Sequence, residues 1–396
     1  MYAFDNNCRQ SFAAEFQSVW ENSMIRIAVY SGTERFHGYT TGVGRHVKRI
    51  VADLAQNPDF SAVFWVPKNC WAQDQKCPVT ETLGRVATSR MPISRRLYAI
   101  AALTTGSPKF EDFAGEVDWV YCPREVLVTT RKARLAVTIH DLYDFEPEQR
   151  RLVSPRQALI FAGWAKAAAT ATTVLTVSEF SKSRICEIFG VEEKRVMVVG
   201  NGVEPLFFDV AEEDPEEVSP LKGQRYFISV GGLSKKNGAP HLIAFAKLLE
   251  KMSSSAKLAV VGPIEPEFEN GVRACRNLIL VERGLDDISL ARFLRGALAS
   301  IVFSTYEGFG IPALEAMAAG VPVLANKQPA LMEVIGDAGI IIDAKSEREL
   351  CEALAIGHDG NLRDDLIRRG RERVQHYSWG GCSEKVAKLL REIGRS

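Results

Sequence analysis

Two glutamates, Glu307 and Glu315, lie eight residues apart where a strand is predicted to meet a helix. In the stretch SIVFSTYEGFGIPALEAMAAGVPVLA (300–325), a buried apolar strand ends near Ser304 and a helix begins at Pro312, a residue that suits the first helical position. Carboxylate oxygens accept hydrogen bonds from adjacent hydroxyl groups, so both glutamates can bind one polyhydroxylated ligand. The alternative is that Glu315, in the first turn, only complements the helix dipole and that Glu307 is solvated.

The same loop offers backbone donors for an anion. Phe309, Gly310 and Ile311 stand at the predicted start of the helix. Amide groups there have no acceptor within the helix, and the helix dipole favours negative charge beside them. This arrangement is typical of phosphate binding.

A second anion-binding candidate is the loop GGLSKKNG, which follows the apolar strand YFISV (226–230). Its two cations, Lys235 and Lys236, stand beside the end of a strand, where they suit the charge of a phosphate leaving group. Lys236 is the preferred phosphate ligand of the two. The alternative is that both lysines are solvated residues before the next helix.

In the first half of the chain, Gly42 and Gly44 lie between the first strand and its helix, and His140 follows the apolar strand LAVTI (135–139). A glycine lets a ligand approach the backbone closely. The pattern G-V-G-R-H-V lacks the third glycine of a dinucleotide fingerprint, which argues against NAD binding. The alternatives are a simple tight turn at Gly42 and a structural histidine at position 140.

No residue pattern predicts a metal or an organic cofactor. The sequence has no Asp-X-Asp triplet, and its eight cysteines form no Cys-X-X-Cys pair and have no histidine cluster beside them. Asp286 and Asp287 are adjacent and are expected to cap the helix that follows. Free thiols are typical of a reducing cytosol.

Short apolar strands alternate with amphipathic helices along the whole chain, which predicts an α/β fold with two doubly wound parallel sheets. Residues 209–220, DVAEEDPEEVSP, are acidic and poor in apolar residues, so we expect a linker between the two halves. The 49 basic residues balance the 49 acidic residues, so overall charge favours no nucleic acid. The N-terminus lacks the apolar core of a signal peptide, and no apolar run reaches 18 residues, so a cytoplasmic protein is expected.

The segment EGFGIPALEAMAAGVPVLA resembles the signature of the retaining family 4 glycosyltransferases, which have the GT-B fold of two Rossmann-like domains facing a central cleft. Further segments are similar to the family in the same order. They are GYTTGVGRHV (38–47), IHDLYD (139–144), TVSEFSKSRI (176–185), NGVEPLFF (201–208), ISVGGLSKKNG (228–238), GDAGIIID (336–343) and YSWGGCSEKVAKLLREI (377–393). The domains implied are an N-terminal tail at 1–23, an acceptor domain at 24–208, a donor domain at 221–377 and a helix at 378–396 that returns to the first domain.

The resemblance implies roles for individual residues of the second half. Glu307 would hold donor-sugar hydroxyls and stabilise charge near the reacting carbon, and Glu315 would bind the ribose hydroxyls. Lys236 would contact the diphosphate, with Lys235 beside it. The backbone amides of Phe309, Gly310 and Ile311 would face the sugar and diphosphate, and Leu285 would pack near the base unless it is an ordinary core leucine.

In the first half, the resemblance implies that Gly42 faces the diphosphate and that His140 lies at the donor sugar and the acceptor, without acting as general base. One departure from the family is the loop at Gly232. Many members have an arginine at this position and a loop one residue longer.

The function implied is metal-independent, retaining transfer of a hexose from a nucleoside diphosphate sugar to a saccharide or polyprenyl-linked acceptor. GDP-mannose is the first donor expected, by similarity to bacterial mannosyltransferases of surface-polysaccharide synthesis, and UDP-hexoses are the next. Two other classes stay open. They are a nucleotide-sugar-binding partner subunit without catalysis, and a GT-B epimerase; a phosphorylase would need a pyridoxal-phosphate lysine, for which no signal is present.

The segment SRMPISRRLYAIAAL (89–103) combines three arginines with a predicted apolar stripe. Read as a helix from Pro92, it aligns Ile93, Leu97 and Ile100, with Tyr98 near the same face. This pattern suits docking to the anionic cytoplasmic face of the inner membrane. The alternative is an amphipathic helix packed on the sheet with its arginines in water.

Overall fold

The computed structural model describes residues 24–32, 41–68, 86–146, 154–281, 284–357 and 359–395. The chain divides into two compact units. The first contains residues up to Gly200 together with Trp379–Ser396, and the second contains Asn201–Ser378. The expected N-terminal tail at 1–23 and the start of the glycine-rich segment, 38–40, lie outside the described residues.

The first unit is a seven-stranded parallel sheet with helices between its strands. Its strand order is β3-β2-β1-β4-β5-β6-β7, so the order reverses between β1 and β4. The strands are β1 (Ile25–Tyr30), β2 (Phe60–Val66), β3 (Ala87–Arg90), β4 (Trp119–Cys122), β5 (Arg134–Ile139), β6 (Thr173–Thr176) and β7 (Val196–Val198). The helices are α1 (Gly42–Gln56), α2 (Arg95–Thr104), α3 (Glu111–Ala114), α4 (Pro155–Thr170) and α5 (Glu179–Phe189).

The second unit is a six-stranded parallel sheet of order β10-β9-β8-β11-β12-β13, with its reversal between β8 and β11. Its strands are β8 (Tyr226–Val230), β9 (Lys257–Val261), β10 (Leu278–Val281), β11 (Ser300–Val302), β12 (Val323–Asn326) and β13 (Ile340–Ile342). Its helices are α6 (Leu206–Val210), α7 (Pro215–Val218), α8 (Ala239–Lys251), α9 (Glu269–Arg273), α10 (Asp287–Arg295), α11 (Ile311–Ala318), α12 (Pro329–Ile335), α13 (Glu347–Ala353) and α14 (Gly360–Val374). Both sheets are thus doubly wound, and ligands of such sheets bind at the reversal, beyond the carboxyl ends of the strands.

Continuous apolar runs become the buried central strands, because both faces of each sheet are covered by helices. Helix boundaries follow local capping. For example, the Ser178 side chain accepts a hydrogen bond from the Ser181 amide at 3.0 Å, and α5 ends at Gly190 in the left-handed conformation.

The stretch 209–220 is not a bare linker. It contains the end of α6 and the whole of α7, and both helices pack against α10 within the second unit. Asp214 caps α7 by accepting from the Glu216 amide at 2.8 Å, and Ser219 is buried beside Tyr226. The boundary between the units lies earlier, at Gly200 and Asn201. Acidic composition indicated exposure correctly, but it carried no information about these packing contacts.

The C-terminal helix α15 (Trp379–Arg395) belongs to the first unit and packs on α1. Its Leu390 carbonyl accepts a hydrogen bond from the Trp119 indole at 3.1 Å, and Ser383 donates to Asp53 on α1. Among the described residues, no helix is both long and apolar enough to span a bilayer.

Candidate functional site

Glu307 is held by the strand that precedes it. The Ser304 hydroxyl, just beyond the end of β11, donates a 2.7 Å hydrogen bond to Glu307 Oε1. The loop itself is fixed from the neighbouring strand, since the Asn326 amide donates to the Ser304 carbonyl at 3.1 Å and the Gln328 amide to the Glu307 carbonyl at 3.3 Å. Glu307 is half-buried, and the Ser304 hydrogen bond orients its carboxylate.

The N-terminus of α11 has no side-chain cap among the described residues. Gly310 is the N-cap residue with a φ of 108°, a conformation that favours glycine, and a Cβ there would lie 2.6 Å from Leu331. The Ala313 amide donates to the Gly310 carbonyl at 3.0 Å, and Pro312 has no amide hydrogen. Of the first turn, the Ile311 amide is therefore the one that suits a ligand, at the positive end of the dipole. Phe309 is buried, with its ring 5.7 Å from the ring of Tyr377, so it can serve a ligand through its backbone.

Glu315 lies one position further along α11 than expected. The helix begins at Ile311, which puts Glu315 in the second turn and on the same face as Ile311. The prediction that Glu315 lies in the first turn is therefore wrong. The alternative, in which Glu315 complements the helix dipole from the first turn, is wrong for the same reason. The residue is 3% exposed, and a carboxylate so deeply buried needs hydrogen-bonding partners.

Thr305 connects two loops. One is the loop GGLSKKNG (231–238), here called the lysine loop, and the other is the loop that contains Thr305 and Glu307, here called the glutamate loop. The Thr305 amide donates to the Lys236 carbonyl at 2.8 Å, and the Thr305 hydroxyl lies 3.1 Å from the same oxygen. These loops follow β8 and β11, the two strands that flank the reversal of the second sheet. Lys236 is thus tied to the loop that carries Glu307, two residues beyond Thr305.

Within the lysine loop, the two lysines differ in exposure and in support. Lys235 is exposed, and its amide donates to Glu265 at 3.0 Å, whereas Lys236 is half-buried. Asn237 closes the loop by donating to the Gly231 carbonyl at 2.6 Å. Lys236 is therefore the cation whose backbone is fixed against the glutamate loop.

Close backbone packing explains why this loop departs from the family pattern. Gly232 has a φ of 80°, and a Cβ there would lie 2.0 Å from the Pro263 carbonyl oxygen. Gly238 has a φ of 74°, and a Cβ there would lie 2.0 Å from the Phe303 carbonyl oxygen. No side chain fits at either position in this conformation, so an arginine at 232 requires a different loop.

Leu285 is half-buried on the loop after the edge strand β10, and β9 separates that strand from β8. It immediately precedes Asp286, which caps α10 by accepting from the Ser289 amide at 2.8 Å. Hydrogen bonds from Ser289 hold the pKa of the Asp286 carboxyl below its usual range. The expected capping role of Asp286 is confirmed.

In the first unit, His140 is buried directly after β5. Its Nε2 lies 3.0 Å from the Pro123 carbonyl, which can only accept, so Nε2 carries a proton and donates. The His140 amide donates to Glu125 Oε1 at 2.6 Å. The ring is therefore held in one orientation.

A second histidine, His46, links His140 to the helix of Gly42. Gly42 is the first residue of α1, and Thr41 caps that helix by accepting from the Gly44 amide at 3.1 Å. His46 is buried one turn further along, and its ring meets that of His140 edge-on at 4.7 Å. The helix that begins at Gly42 therefore contacts His140 through His46.

The structure thus places the predicted residues in two groups, one in each unit. Four supporting residues were not predicted, and they are Ser304, Thr305, Glu125 and His46. A serine or threonine at the end of a strand beside a functional loop is a weak signal that could have indicated the first two. Glu125 and His46 act through contacts with residues distant in sequence, for which the sequence gives no signal.

The segment 89–103 is not one helix. Arg90 lies on β3, and α2 begins at Arg95 rather than at Pro92. Tyr98, expected near the apolar stripe, is buried in the core, where its ring packs on Tyr30, Phe110 and Phe113. Leu97 and Ile100 on α2 are exposed, and so are Leu159 and Ile160 on α4. The two helices contact each other.

Two family models match the chain on either side of residue 207. "Glycosyltransferase Family 4" matches residues 40–205, and "Glycosyl transferases group 1" matches residues 210–373. Together they cover all predicted site residues and every strand of the two sheets except β1. The chain belongs to the family 4 glycosyltransferases with the GT-B fold.

Curated relatives are similar at low identity. The chain is 26% identical to O-antigen chain mannosyltransferase B of Escherichia coli over 376 residues, which is 87% of this chain and 94% of the relative. It is 27% identical over 234 residues to an uncharacterized glycosyltransferase of Methanocaldococcus jannaschii, covering 55% of this chain and 59% of the relative. It is 31% identical to MMP alpha-(1->4)-mannosyltransferase of Mycolicibacterium hassiacum over 56% of this chain and 54% of the relative. The chain therefore spans little more than half of the last two relatives.

Solved structures share the fold. WaaG, a glycosyltransferase involved in lipopolysaccharide biosynthesis, matches with a TM-score of 0.69 at 18% identity, over 93% of this chain and 99% of that one. HepE of Anabaena, solved in complex with UDP and glucose, matches with a TM-score of 0.66 at 16% identity, over 93% of this chain and 99% of that one.

Proposed function

We propose that this protein is a retaining glycosyltransferase that moves a hexose from a nucleoside diphosphate sugar to a saccharide or lipid-linked saccharide. The observation that carries the proposal is the Thr305 connection, which joins the loop of Lys236 to the loop of Glu307 at the reversal of the second sheet. A cation for the diphosphate and a carboxylate for the sugar thereby share one corner.

Each group has a part in lowering the barrier. Lys236 and the backbone amides of Phe309, Gly310 and Ile311 stabilise the charge that develops on the diphosphate as its bond to the sugar breaks. Glu307 binds sugar hydroxyls and stabilises positive charge at the reacting carbon, and Glu315 binds the ribose hydroxyls. Leu285 packs near the base, and Lys235 adds a more distant positive charge.

The acceptor attacks on the face from which the diphosphate leaves, and the diphosphate takes the acceptor proton. Gly42 approaches the diphosphate through its backbone. His140 contributes Nδ1 to the donor sugar and the acceptor face, and it orients rather than acts as general base. No organic cofactor or metal takes part.

The donor we propose first is GDP-mannose, with UDP-hexoses as the second choice. Two of the curated relatives are named mannosyltransferases, which supports mannose. HepE binds UDP and glucose, which supports the UDP-hexoses. A growing surface polysaccharide on a polyprenyl carrier is the proposed acceptor, supported by the name of the Escherichia coli relative.

A thermal-shift panel with GDP, UDP and dTDP sugars tests the donor directly. A ligand at 100 times its dissociation constant stabilises the protein by about 2.7 kcal/mol, so the true donor raises the melting temperature well above the others. Incubation with that donor then separates three classes by their product. A transferase releases nucleoside diphosphate, an epimerase returns a changed nucleotide sugar, and an inactive partner subunit returns the donor unchanged.

We infer that the protein works at the cytoplasmic face of a membrane, where a lipid-linked acceptor is found. Leu97 and Ile100 of α2 and Leu159 and Ile160 of α4 support this, since all four apolar side chains are exposed. In a vesicle-flotation assay, the protein should float with anionic vesicles at low salt. Leu97→Gln with Ile160→Gln should abolish flotation, whereas Met252→Gln, at an exposed residue of the second unit, should not.

A further inference from the structure

A groove of about 430 Å³ lies in the first unit between α2 and α4. Tyr30, at the end of β1, lines it together with Val126 and Leu127, which follow β4. These two strands flank the reversal of the first sheet, which is where open parallel sheets bind their ligands. The groove therefore occupies a binding position of the fold.

The walls of the groove are apolar and held together. Leu103 on α2 and Trp164 on α4 line it from opposite sides. Lys166 of α4 donates to the carbonyls of Ala102 and Leu103 at 3.0 and 2.9 Å, which ties α4 to the C-terminal part of α2. An apolar groove with fixed walls suits a hydrocarbon chain.

Gly163 keeps the groove open. It is a buried residue within α4 that lines the groove, and the nearest atom to a Cβ built there is Leu127 Cβ at 3.9 Å. A side chain at this position would meet no backbone and would extend into the groove. Glycine destabilises the interior of a helix. At this position it lowers the stability of α4 but leaves the groove open.

Two cations stand at one end of the groove, where the helix disfavours them. Arg95 and Arg96 line the groove and form the first two positions of α2, beside the positive end of its dipole. That first turn has no acidic residue and no side-chain cap. The planar guanidinium groups suit a phosphate, and the positive end of the helix dipole adds to the attraction of an anion.

One residue of the groove contacts His140, which the proposed function places at the donor sugar. Glu125 lines the groove, and Glu125 Oε1 accepts the hydrogen bond from the His140 amide at 2.6 Å. A ligand in the groove therefore lies beside the residue that fixes the backbone of His140.

We propose that this groove binds the hydrocarbon chain of a phosphorylated lipid, with the phosphate at Arg95 and Arg96. The inference rests on the proposed function, and it identifies the acceptor class as a lipid phosphate whose chain leaves the membrane for the groove. The exposed residues Leu97, Ile100, Leu159 and Ile160 at the same two helices provide the apolar path between bilayer and groove.

Calorimetry with geranyl phosphate below its aggregation limit, without nucleotide or vesicles, tests the chain-binding part. Wild-type protein should bind this probe, and Gly163→Leu, which fills the groove, should weaken binding at least tenfold without lowering the melting temperature. The matched control is Gly380→Leu, at an exposed glycine of α15 with no atom within 4 Å of a built Cβ. It should bind as wild type does.

The same titrations test the phosphate part. The double variant Arg95→Gln with Arg96→Gln should weaken binding of geranyl phosphate about tenfold and leave binding of geraniol unchanged. Inorganic phosphate alone should bind more than tenfold more weakly than geranyl phosphate. Arg276→Gln, at an exposed arginine of the second unit, is the control and should have no effect.

Three outcomes overturn the proposal. The first is equal affinity of wild type and Gly163→Leu for geranyl phosphate. The second is binding to anionic vesicles with none to the monomeric probe, which would make the surface a membrane contact only. The third is no probe binding together with a lowered melting temperature of Gly163→Leu, which would mean that this chain fills its own groove. Because no nucleotide is present, none of these results depends on donor binding by the second unit.

Discussion

The Ser304 hydroxyl donates a 2.7 Å hydrogen bond to Glu307 Oε1, and this contact fixes the carboxylate of the glutamate loop. Ser304 is buried, and it follows the last residue of β11 by two positions. The strand thus sets where the carboxylate stands, and one of its oxygens is already bonded. In the proposed mechanism, the carboxylate held in this way binds a sugar hydroxyl.

Ser304→Ala should slow turnover by about 10-fold to 100-fold, because a hydrogen bond to a charged group contributes about 1.5–3 kcal/mol. Donor affinity should change little, since the diphosphate contacts remain. Ser304→Thr keeps the hydroxyl and should recover most of the activity. Steady-state kinetics of the three proteins measure this, and an Ala variant as active as wild type would remove the contact from the mechanism.

Lys236→Ala should weaken binding of the nucleoside diphosphate far more than binding of the nucleoside, because only the former carries the charge that Lys236 meets. We expect a loss of about 10-fold to 100-fold for the diphosphate, the scale of a charged hydrogen bond. Lys235→Ala is the matched control at the exposed neighbour, and it should have a smaller effect. Calorimetry measures both affinities. A larger loss of diphosphate affinity in Lys235→Ala than in Lys236→Ala would assign the role to Lys235.

Gly232→Ala should destabilise the second unit and disrupt the lysine loop. A Cβ at this position would lie 2.0 Å from the Pro263 carbonyl oxygen, and the φ of 80° is itself unfavourable for alanine. Gly223→Ala is the control, because Gly223 has a φ of 72° and no atom within 4 Å of a built Cβ. We expect a loss of about 1 kcal/mol in the control and about 2–5 kcal/mol in Gly232→Ala.

Urea unfolding followed by donor titration measures both effects. Only Gly232→Ala should also lose affinity for the nucleoside diphosphate. Equal destabilisation of the two variants would show that backbone conformation alone, without close packing against Pro263, requires glycine in the loop.

Activity should persist in excess EDTA. In the proposed mechanism, the diphosphate charge is met by Lys236 and by backbone amides at the start of α11, which need no metal bridge. Among the described residues, no group of three or more His, Cys, Asp or Glu side chains is arranged to hold a metal ion. A rate that disappears with EDTA and returns on adding Mg²⁺ or Mn²⁺ would mean that a metal stabilises the leaving group.

Local patterns predicted the sheets well, because a strand buried on both faces must be a continuous apolar run. β8 has the boundaries that its apolar run YFISV indicates, and β5 begins one residue before the run LAVTI. β3 was missed, since its residues ATSR form a polar edge strand without such a run. The start of α11 was predicted within one residue, and that small difference moved Glu315 from the first turn to the second.

Contacts between distant residues set the limit of prediction for the site. His46 meets His140, and Glu125 binds the His140 amide, only because parallel strands and α1 bring them together. The groove has walls from two helices far apart in the sequence, of which only the α2 side was noticed. Residue types at short spacing predicted which loops carry the candidate site. The contacts that hold these loops together depend on the fold.

The turnover of Glu307→Gln tests the central claim most directly. This variant keeps the shape of the side chain and removes its charge, and the measurement is release of nucleoside diphosphate from the donor that the thermal-shift panel selects. Glu267→Gln, at an exposed glutamate of the same unit, is the control. We predict that Glu307→Gln lowers turnover by about 100-fold or more, the scale of losing one electrostatic stabiliser, while nucleoside diphosphate affinity stays within about twofold of wild type. Turnover near that of wild type and of Glu267→Gln would contradict the assignment of Glu307 to the reacting sugar.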